Sequence, residues 1–305
     1  MPYVCPRCKS SLAEMNGALL CKACNETYPL HDGIYSCITR EKQKEIEPFL
    51  RQYKIIREAE NRGSDKTQYY LRLPNVNTRE WHIRRVSSQK ALLTLRDHFN
   101  IISPDKIRIA DIGAGNCWFT HILSERGYNA YAIDIFDDER DGLRAGKHYL
   151  NSSGSPFTRV AAHFDELPFA AGFFDAVIFN AALHYSKNQI TTLQEAFRTL
   201  THNGTVLVLD SPIYANRSSG EIMVKERIKY HERLLSKNAE TTREETLSSS
   251  YLTKEDFMQW ERTMDVNVYM QHVFYGVRWM LRPLIAQLRG RRQSASFALI
   301  KIIKR

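Results

Sequence analysis

The stretch "IADIGAGNCWFTHILSERGYNAYAID", residues 109 to 134, has the order strand, glycine turn, helix, strand, and it closes on an acid. A helix that starts after a glycine turn points backbone N–H groups and a positive dipole end at an anionic ligand. Gly113 and Gly115 permit close approach, and Asp134, 21 residues past Gly113, stands at the end of the second strand where ribose hydroxyls are bound. A dinucleotide loop has a third glycine, whereas this chain has Trp118 there. That ring is too large for the close packing a pyrophosphate site needs. S-adenosylmethionine, which carries no phosphate, suits the loop better: Asp111 for its ammonium group, the turn N–H groups for its carboxylate.

Outward from this stretch, strands and helices alternate. "KIRIADIG", "NAYAIDIF", "TRVAAHF", "FDAVIFNAAL" and "TVLVLDSP" read as strands, with "WFTHILSERG" and "ITTLQEAFRTLTHNG" as helices that end in glycine. This alternation predicts a doubly wound parallel α/β sheet. "YLTKEDFMQWERTM" reads as a further helix, and "DVNVYM" and "SASFALIKIIKR" as a closing hairpin. Upstream, residues 79–99 place Ile83, Val86, Ala91, Leu92, Leu95 and Phe99 at helical spacing, and Pro104 follows that helix. Residues 39–66 read as a polar helix or linker broken at Pro48, and 217–250 as a helix-prone insertion.

"DIGAGN" with Asp134, followed by "ELPFAAGFFDAVIFNAALHY", resembles the first motifs and the middle of class I methyltransferases, closest to the ubiquinone and menaquinone C-methyltransferase branch. The resemblance covers roughly residues 78–305. It implies a Rossmann-like seven-stranded sheet with an antiparallel last hairpin. It also implies that Asp111, Gly113 and Gly115 hold the methionine end, Asp134 and Ile135 the ribose and adenine edge, His163 and Phe164 the adenine, and that Asn180 faces the methionine. Two positions depart from the family pattern. Cys117 replaces a glycine, an exchange expected to cost little in a helix's first turn. His163 replaces an acid that accepts the adenine amino group; Asp165, two positions on, is the nearest alternative acceptor. His184 and Tyr185 after the fourth strand and Asp210 after the fifth are the candidate catalytic groups, because strand C-termini face the ligand crevice. Tyr69, Tyr70, Trp81 and Arg84 are candidates to line the acceptor, with 217–250 as a lid.

Four of the six cysteines fall in the first 24 residues, as "CPRC" (Cys5, Cys8) and "CKAC" (Cys21, Cys24). Two such knuckles present four thiolates tetrahedrally, and with no open position the zinc they suit is structural. "LLCKACNETYPLHDGIYSCI" resembles the zinc ribbon of the small activator proteins that partner tRNA, ribosomal RNA and release-factor methyltransferases, through Tyr28, Pro29, Gly33 and Ile34. Cys37 and Cys117 read as free buried thiols. The expected organisation is a ribbon at 1–38, a helical linker at 39–77 and a methyltransferase domain at 78–305.

Across 305 residues the chain is 43% hydrophobic and 25% charged, which suits a globular protein. The sequence predicts no transmembrane span and no secretory leader, so a cytoplasmic location is the expectation. The net charge of +9 is local: residues 275–305 hold eight Lys or Arg and no acid, which leaves 35 basic against 34 acidic residues before them. In "YGVRWMLRPLIAQLRGRRQ" arginines interleave with Trp279, Met280, Leu281 and Leu284, a pattern open to three readings: anionic lipid, a phosphate backbone or a solvated face. The sequence favours a methyltransferase with a small or lipid-like acceptor. An RNA acceptor and a non-catalytic scaffold are the alternatives, and the oligomeric state is not legible.

Overall fold

The computed structural model describes residues 2–153, 156–235 and 250–305. Residues 236–249 of the expected insertion lie outside the described residues. The first 38 residues form an antiparallel ribbon of β1 (Ala13–Met15), β2 (Ala18–Cys21), β3 (Glu26–His31) and β4 (Ile34–Ser36). Three helices follow, α1 (Arg40–Ala59), α2 (Thr67–Leu71) and α3 (Arg79–His98). α1 and α3 are each capped by a threonine hydroxyl, Thr39 accepting from the Lys42 N–H and Thr78 from the Trp81 N–H.

The core then alternates: β5 (Arg108–Ile112), α4 (Trp118–Glu125), β6 (Asn129–Asp134), α5 (Lys147–Ser153), β7 (Thr158–Ala161), β8 (Phe174–Asn180), α6 (Gln189–Thr199) and β9 (Leu200–Leu209). A small parallel pair, β10 (Ile213–Tyr214) and β11 (Leu252–Thr253), brackets α7 (Arg217–Leu235). The chain ends with α8 (Lys254–Met264), β12 (Val266–His272), the short helices α9 (Val277–Met280) and α10 (Arg282–Leu288), and β13 (Ala298–Lys304).

The main sheet runs β7-β6-β5-β8-β9-β13-β12, parallel except for β13, which is antiparallel to both neighbours. This is the expected seven-stranded class I methyltransferase sheet with its last hairpin. Its central strands, β5, β8 and β9, are apolar on both faces because helices cover both. The winding reverses between β5 and β8, so the loops after β5, β6, β8 and β9 open on one crevice.

The ribbon joins the large domain: β4 pairs in parallel with β7, so that eleven of the thirteen described strands form one sheet. Tyr3, Leu12, Leu19 and Tyr28 share a core cluster with Phe169, Val177 and Val208 of the large domain. One expectation needs correction: the helix at 40–59 is not broken at Pro48, which sits inside an uninterrupted helix. Burial of Ile46 and Ile56 and an aromatic ladder from Phe49 to Tyr53 to Phe136 hold the helix together there, against the loss of one N–H donor.

Candidate active site and metal centre

The crevice encloses a cavity of about 330 Å³. Its floor is the loop after β5. Gly113 and Gly115 take positive φ angles of 74° and 51°, and a Cβ on Gly113 would lie 2.4 Å from the Ala182 methyl group, so the two loops meet too closely for any side chain there. Three N–H groups of this turn are engaged inside the fold: Gly113 and Ala114 donate to the Ile133 carbonyl, and Gly115 donates to Asp134 Oδ2 at 2.7 Å. The turn therefore fixes Asp134 at the cavity edge. Asp134 Oδ1 accepts from the Phe136 N–H at 2.9 Å.

Cys117 takes φ 65°, ψ 16°, the left-handed conformation that a glycine adopts freely. The expectation of helical angles was wrong here, and the exchange carries a strain of about 1–2 kcal/mol. The thiol is buried beside Gly146, and that burial raises its pKa well above the usual range. Trp118 borders the cavity and packs edge-on against Trp81, with ring centroids 5.4 Å apart.

Of the eight expected cofactor positions, seven line this cavity: Asp111, Gly113, Gly115, Asp134, Ile135, Phe164 and Asn180. Asp111 is buried at the loop's start. Its Oδ2 accepts from the Thr120 hydroxyl at 2.7 Å, while Oδ1 is buried without a partner among the described residues. Burial raises its pKa to about 7. An unpartnered buried carboxylate oxygen on a cavity wall fits a donor-rich cationic group such as an ammonium. His163 stands outside the lining. Its Nδ1 accepts from the Asp165 N–H at 3.2 Å, and burial lowers its pKa to about 4, so the ring is neutral with its proton on Nε2. It presents a donor, not the acceptor that the missing acid would supply. Asp165 is tied to the Thr192 hydroxyl and does not line the cavity either.

All three candidate catalytic residues line the cavity. His184 is buried with Nδ1 3.2 Å from the Ser211 hydroxyl, and burial, helped by Arg227, lowers its pKa to about 3. So weak a base is a poor proton acceptor. Asp210 differs. Its Oδ2 accepts from the Ser87 hydroxyl of α3 at 2.9 Å, Oδ1 is buried and unpartnered among the described residues, and burial raises its pKa to about 6. Its backbone is held at φ 50°, another strained position at a cavity wall. Tyr185 meets the α1 residue Tyr53 edge-on, with centroids 6.4 Å apart.

The cavity roof was not legible in the sequence. Phe49, Tyr53 and Arg57 project from α1, the segment read as a linker. Arg57 binds Asp141 at 2.5 Å, and Glu80 bridges Arg62 and Arg84. Of the expected acceptor-lining set, Arg84 alone reaches the cavity. Tyr70 is fully buried and donates to the carbonyls of Ser64 and Arg140, Tyr69 packs edge-on against it, and Trp81 lies behind Trp118.

In the ribbon, the sulfurs of Cys5, Cys8, Cys21 and Cys24 lie within 4.8 Å of one another, with Cys8 to Cys21 at 3.6 Å and Cys5 to Cys24 at 4.0 Å. Four thiolates bound tetrahedrally to zinc at ~2.3 Å stand ~3.8 Å apart, so the set fits the metal. Tyr28 Oη lies 3.3 Å from Cys5 Sγ, in place to orient that ligand. Cys37 and Cys117 are both buried, as expected. None of the described helices is long and apolar enough to cross a membrane.

Residues 110–208 match the family model described as a methyltransferase domain, and residues 4–33 match that of the Trm112p-like proteins. The ubiquinone/menaquinone biosynthesis C-methyltransferase UbiE of Vibrio cholerae is 29% identical over 109 residues, which is 34% of this chain and 40% of the relative. UbiE of Vibrio vulnificus is 28% identical over the same length and shares. The chain thus spans two fifths of the length of these curated relatives. Among solved structures, a protein provisionally described as a sarcosine dimethylglycine methyltransferase, from Galdieria sulphuraria, superposes with a TM-score of 0.50 at 14% identity, covering 70% of this chain and 84% of that one.

Proposed function

We propose that this chain, whose large domain is a class I methyltransferase domain, transfers a methyl group from S-adenosylmethionine to a small, lipid-like acceptor that gives up a proton to Asp210. When bound, S-adenosylmethionine supplies a methyl group activated on a sulfonium. Asp134 would hold the ribose hydroxyls, Ile135 and Phe164 the adenine faces, and Asp111 Oδ1 the ammonium group, with Asn180 beside the methionine chain. Positioning of the acceptor supplies much of the acceleration, ~7–11 kcal/mol in favourable cases. An acceptor that carries a proton also needs a base, and Asp210 is the cavity group suited to that work near neutral pH. Ser87 binds one carboxylate oxygen, the other is buried without a partner among the described residues, and Asp210 lines the cavity; that combination is the observation that carries this reading.

The roof supports a small acceptor. Phe49 and Tyr53 close over the crevice and give it an aromatic wall suited to an apolar body. An RNA acceptor is the second reading, favoured by the Trm112p-like match at residues 4–33 and by the arginines of the C-terminal segment.

Two measurements test the proposal. Calorimetric titration with S-adenosylmethionine is expected to show binding, and none at millimolar ligand would overturn the cofactor assignment. Labelled methyl transfer into fractionated cell extract is expected to mark the solvent-extractable small molecules. Label confined to nucleic acid would replace the first reading with the second.

A further inference from the structure

The segment between β12 and β13 carries an amphipathic helix turned inside out. α9 and α10 run on through Leu281, whose dihedrals are right-handed helical; the Leu281 N–H donates to the Val277 carbonyl and the Ile285 N–H to that of Leu281. Val277, Met280, Leu281, Leu284, Ile285 and Leu288 follow the spacing i, i+3, i+4, i+7, i+8, i+11, which is one stripe of a helix. A surface helix ordinarily buries such a stripe. Here Val277 and Met280 are 64% exposed and Leu288 79%, with Phe274 just ahead of them at 64%. Trp279 and Ala286, on the opposite side, make the contact with the protein. Seven large apolar side chains within fifteen residues form a continuous patch of the kind that marks an interaction surface.

The same segment is short of acids. A groove beside the stripe is lined by Arg79, Arg282, Arg289, Arg291 and Arg292, with Glu226 as its one acid, paired to Arg292 at 2.7 Å. Arg282 stacks 4.0 Å from the Trp279 ring centroid, and its Nη1 is buried without a partner among the described residues. Burial, with Arg79 and Arg292 nearby, holds its pKa below the usual range, as expected where cations crowd together without counter-charge.

We propose that residues 274–292 seat this chain on an anionic lipid surface, with the apolar stripe at the acyl boundary and the groove arginines on lipid phosphates. Interfacial helices combine an apolar face with flanking basic residues in this way. A nucleic-acid track would need a row of stacking faces, and six of the seven exposed apolar side chains here are aliphatic, Phe274 being the exception. A second copy of the chain would bring arginine against arginine. The docked face adjoins the cavity: Trp279 packs on Phe297 with centroids 5.4 Å apart, and Phe297 lines the cavity wall. A lipophilic acceptor would thus enter from the bilayer side. That last step rests on the methyl-transfer reading; the docking does not.

Cosedimentation of the full chain with vesicles tests it. Vesicles of phosphatidylcholine with phosphatidylglycerol should bind the protein at least about tenfold better than phosphatidylcholine alone, and added salt should weaken that binding. The double variant Leu284→Glu/Leu288→Glu should lose about tenfold or more of the anionic-vesicle binding, and Arg289→Ser or Arg291→Ser about fivefold each. These residues are exposed, so the variants should keep the wild-type melting curve and S-adenosylmethionine affinity, which separates failure of docking from failure of the cofactor site. Three results would overturn the proposal: no preference for anionic vesicles, salt-sensitive RNA binding that the leucine variant leaves intact, or a dimer that this variant dissolves while vesicle binding is absent.

Discussion

Asp210 and Asp111 are both buried carboxylates with one oxygen unpartnered among the described residues, yet the proposed function gives them different work. Asp210 must be ionised to take a proton. With its pKa raised to about 6, methyl transfer should rise with pH through about 6 and level off above it. Asp210→Asn should lower the transfer rate about 10²–10⁴-fold and leave S-adenosylmethionine affinity within about twofold. A variant that kept its rate, or an unchanged pH profile, would remove Asp210 from the chemistry. Asp111 speaks through stability. Its folded pKa of about 7 lies above the ordinary aspartate value of 3.8, so between these pH values the folded chain holds a proton that the unfolded chain has released. Stability therefore falls as pH rises across that window, and Asp111→Asn should flatten the fall. Denaturant unfolding at pH 5 and pH 8 measures the difference, and a mutant slope equal to wild type would contradict it. Cys117 marks where residue type conceals geometry. Nothing in a cysteine signals positive φ, so the strain became visible only with the backbone in view. Cys117→Gly should relieve it, whereas Cys117→Ala keeps the strain and loses the thiol; the glycine variant should be the more stable of the two by about 1 kcal/mol.

The strands were legible because both sheet faces are covered, so each strand appears as a short apolar run bounded by turn residues. β5, β6, β7 and β8 fall inside the segments expected for them, whereas β9 begins at Leu200, five residues ahead of "TVLVLDSP" and inside the stretch read as the end of a helix, because α6 stops at Thr199. The helices that make the site were less legible. α3 was legible as a helix from its apolar spacing, but its part in the site was not: it buries Ser87, Ser88 and Thr94, and Ser87 binds Asp210. α1 was read as broken, since proline in a helix interior ordinarily ends it, and local propensity cannot see the ladder of Phe49, Tyr53 and Phe136 that sustains it. The proline still has its cost. It removes the N–H that would meet the Lys44 carbonyl, so Pro48→Ala should stabilise the protein by ~1–3 kcal/mol and raise the melting temperature. A lower melting temperature would mean that the proline's shape is needed to curve α1 over the cavity. The segment of α9 and α10 stayed open between lipid, phosphate backbone and solvated face for a related reason: periodicity reports a face and leaves open whether that face turns inward.

In the whole molecule, the ribbon and the active site communicate through the sheet edge and α1. β4 lies along β7 with Ile34, Tyr35 and Ser36 opposite Arg159, Val160 and Ala161, and the Cys37 N–H continues the ladder to the Ala161 carbonyl. Arg159 reaches across to the Asp32 carbonyl, and Lys9 pairs with the buried Glu195 at 2.6 Å. Two residues after Cys37, Thr39 caps α1, the helix that carries Phe49, Tyr53 and Arg57 to the cavity roof. No described ribbon residue lines the cavity, so the four-cysteine site bears on it through placement. A ribbon this small lacks the core to fold alone, and structural zinc supplies about 10–16 kcal/mol to such modules. Removing the metal with a chelator, or ligation by Cys21→Ser, should therefore free β4 from β7 and loosen the start of α1. Amides of residues 159–161 should exchange faster with solvent, while those of β8 and β9 in the sheet centre stay protected. S-adenosylmethionine affinity should fall about tenfold, because Tyr53 and Arg57 brace Phe136 and Asp141 beside the Asp134 loop. If the metal-free chain kept both the protection of β7 and its affinity, the large domain would be self-sufficient and the ribbon an appendage. The shared core of Tyr3, Leu19 and Tyr28 with Phe169 and Val177 argues for the opposite outcome, since melting the ribbon exposes one wall of the core beneath the sheet.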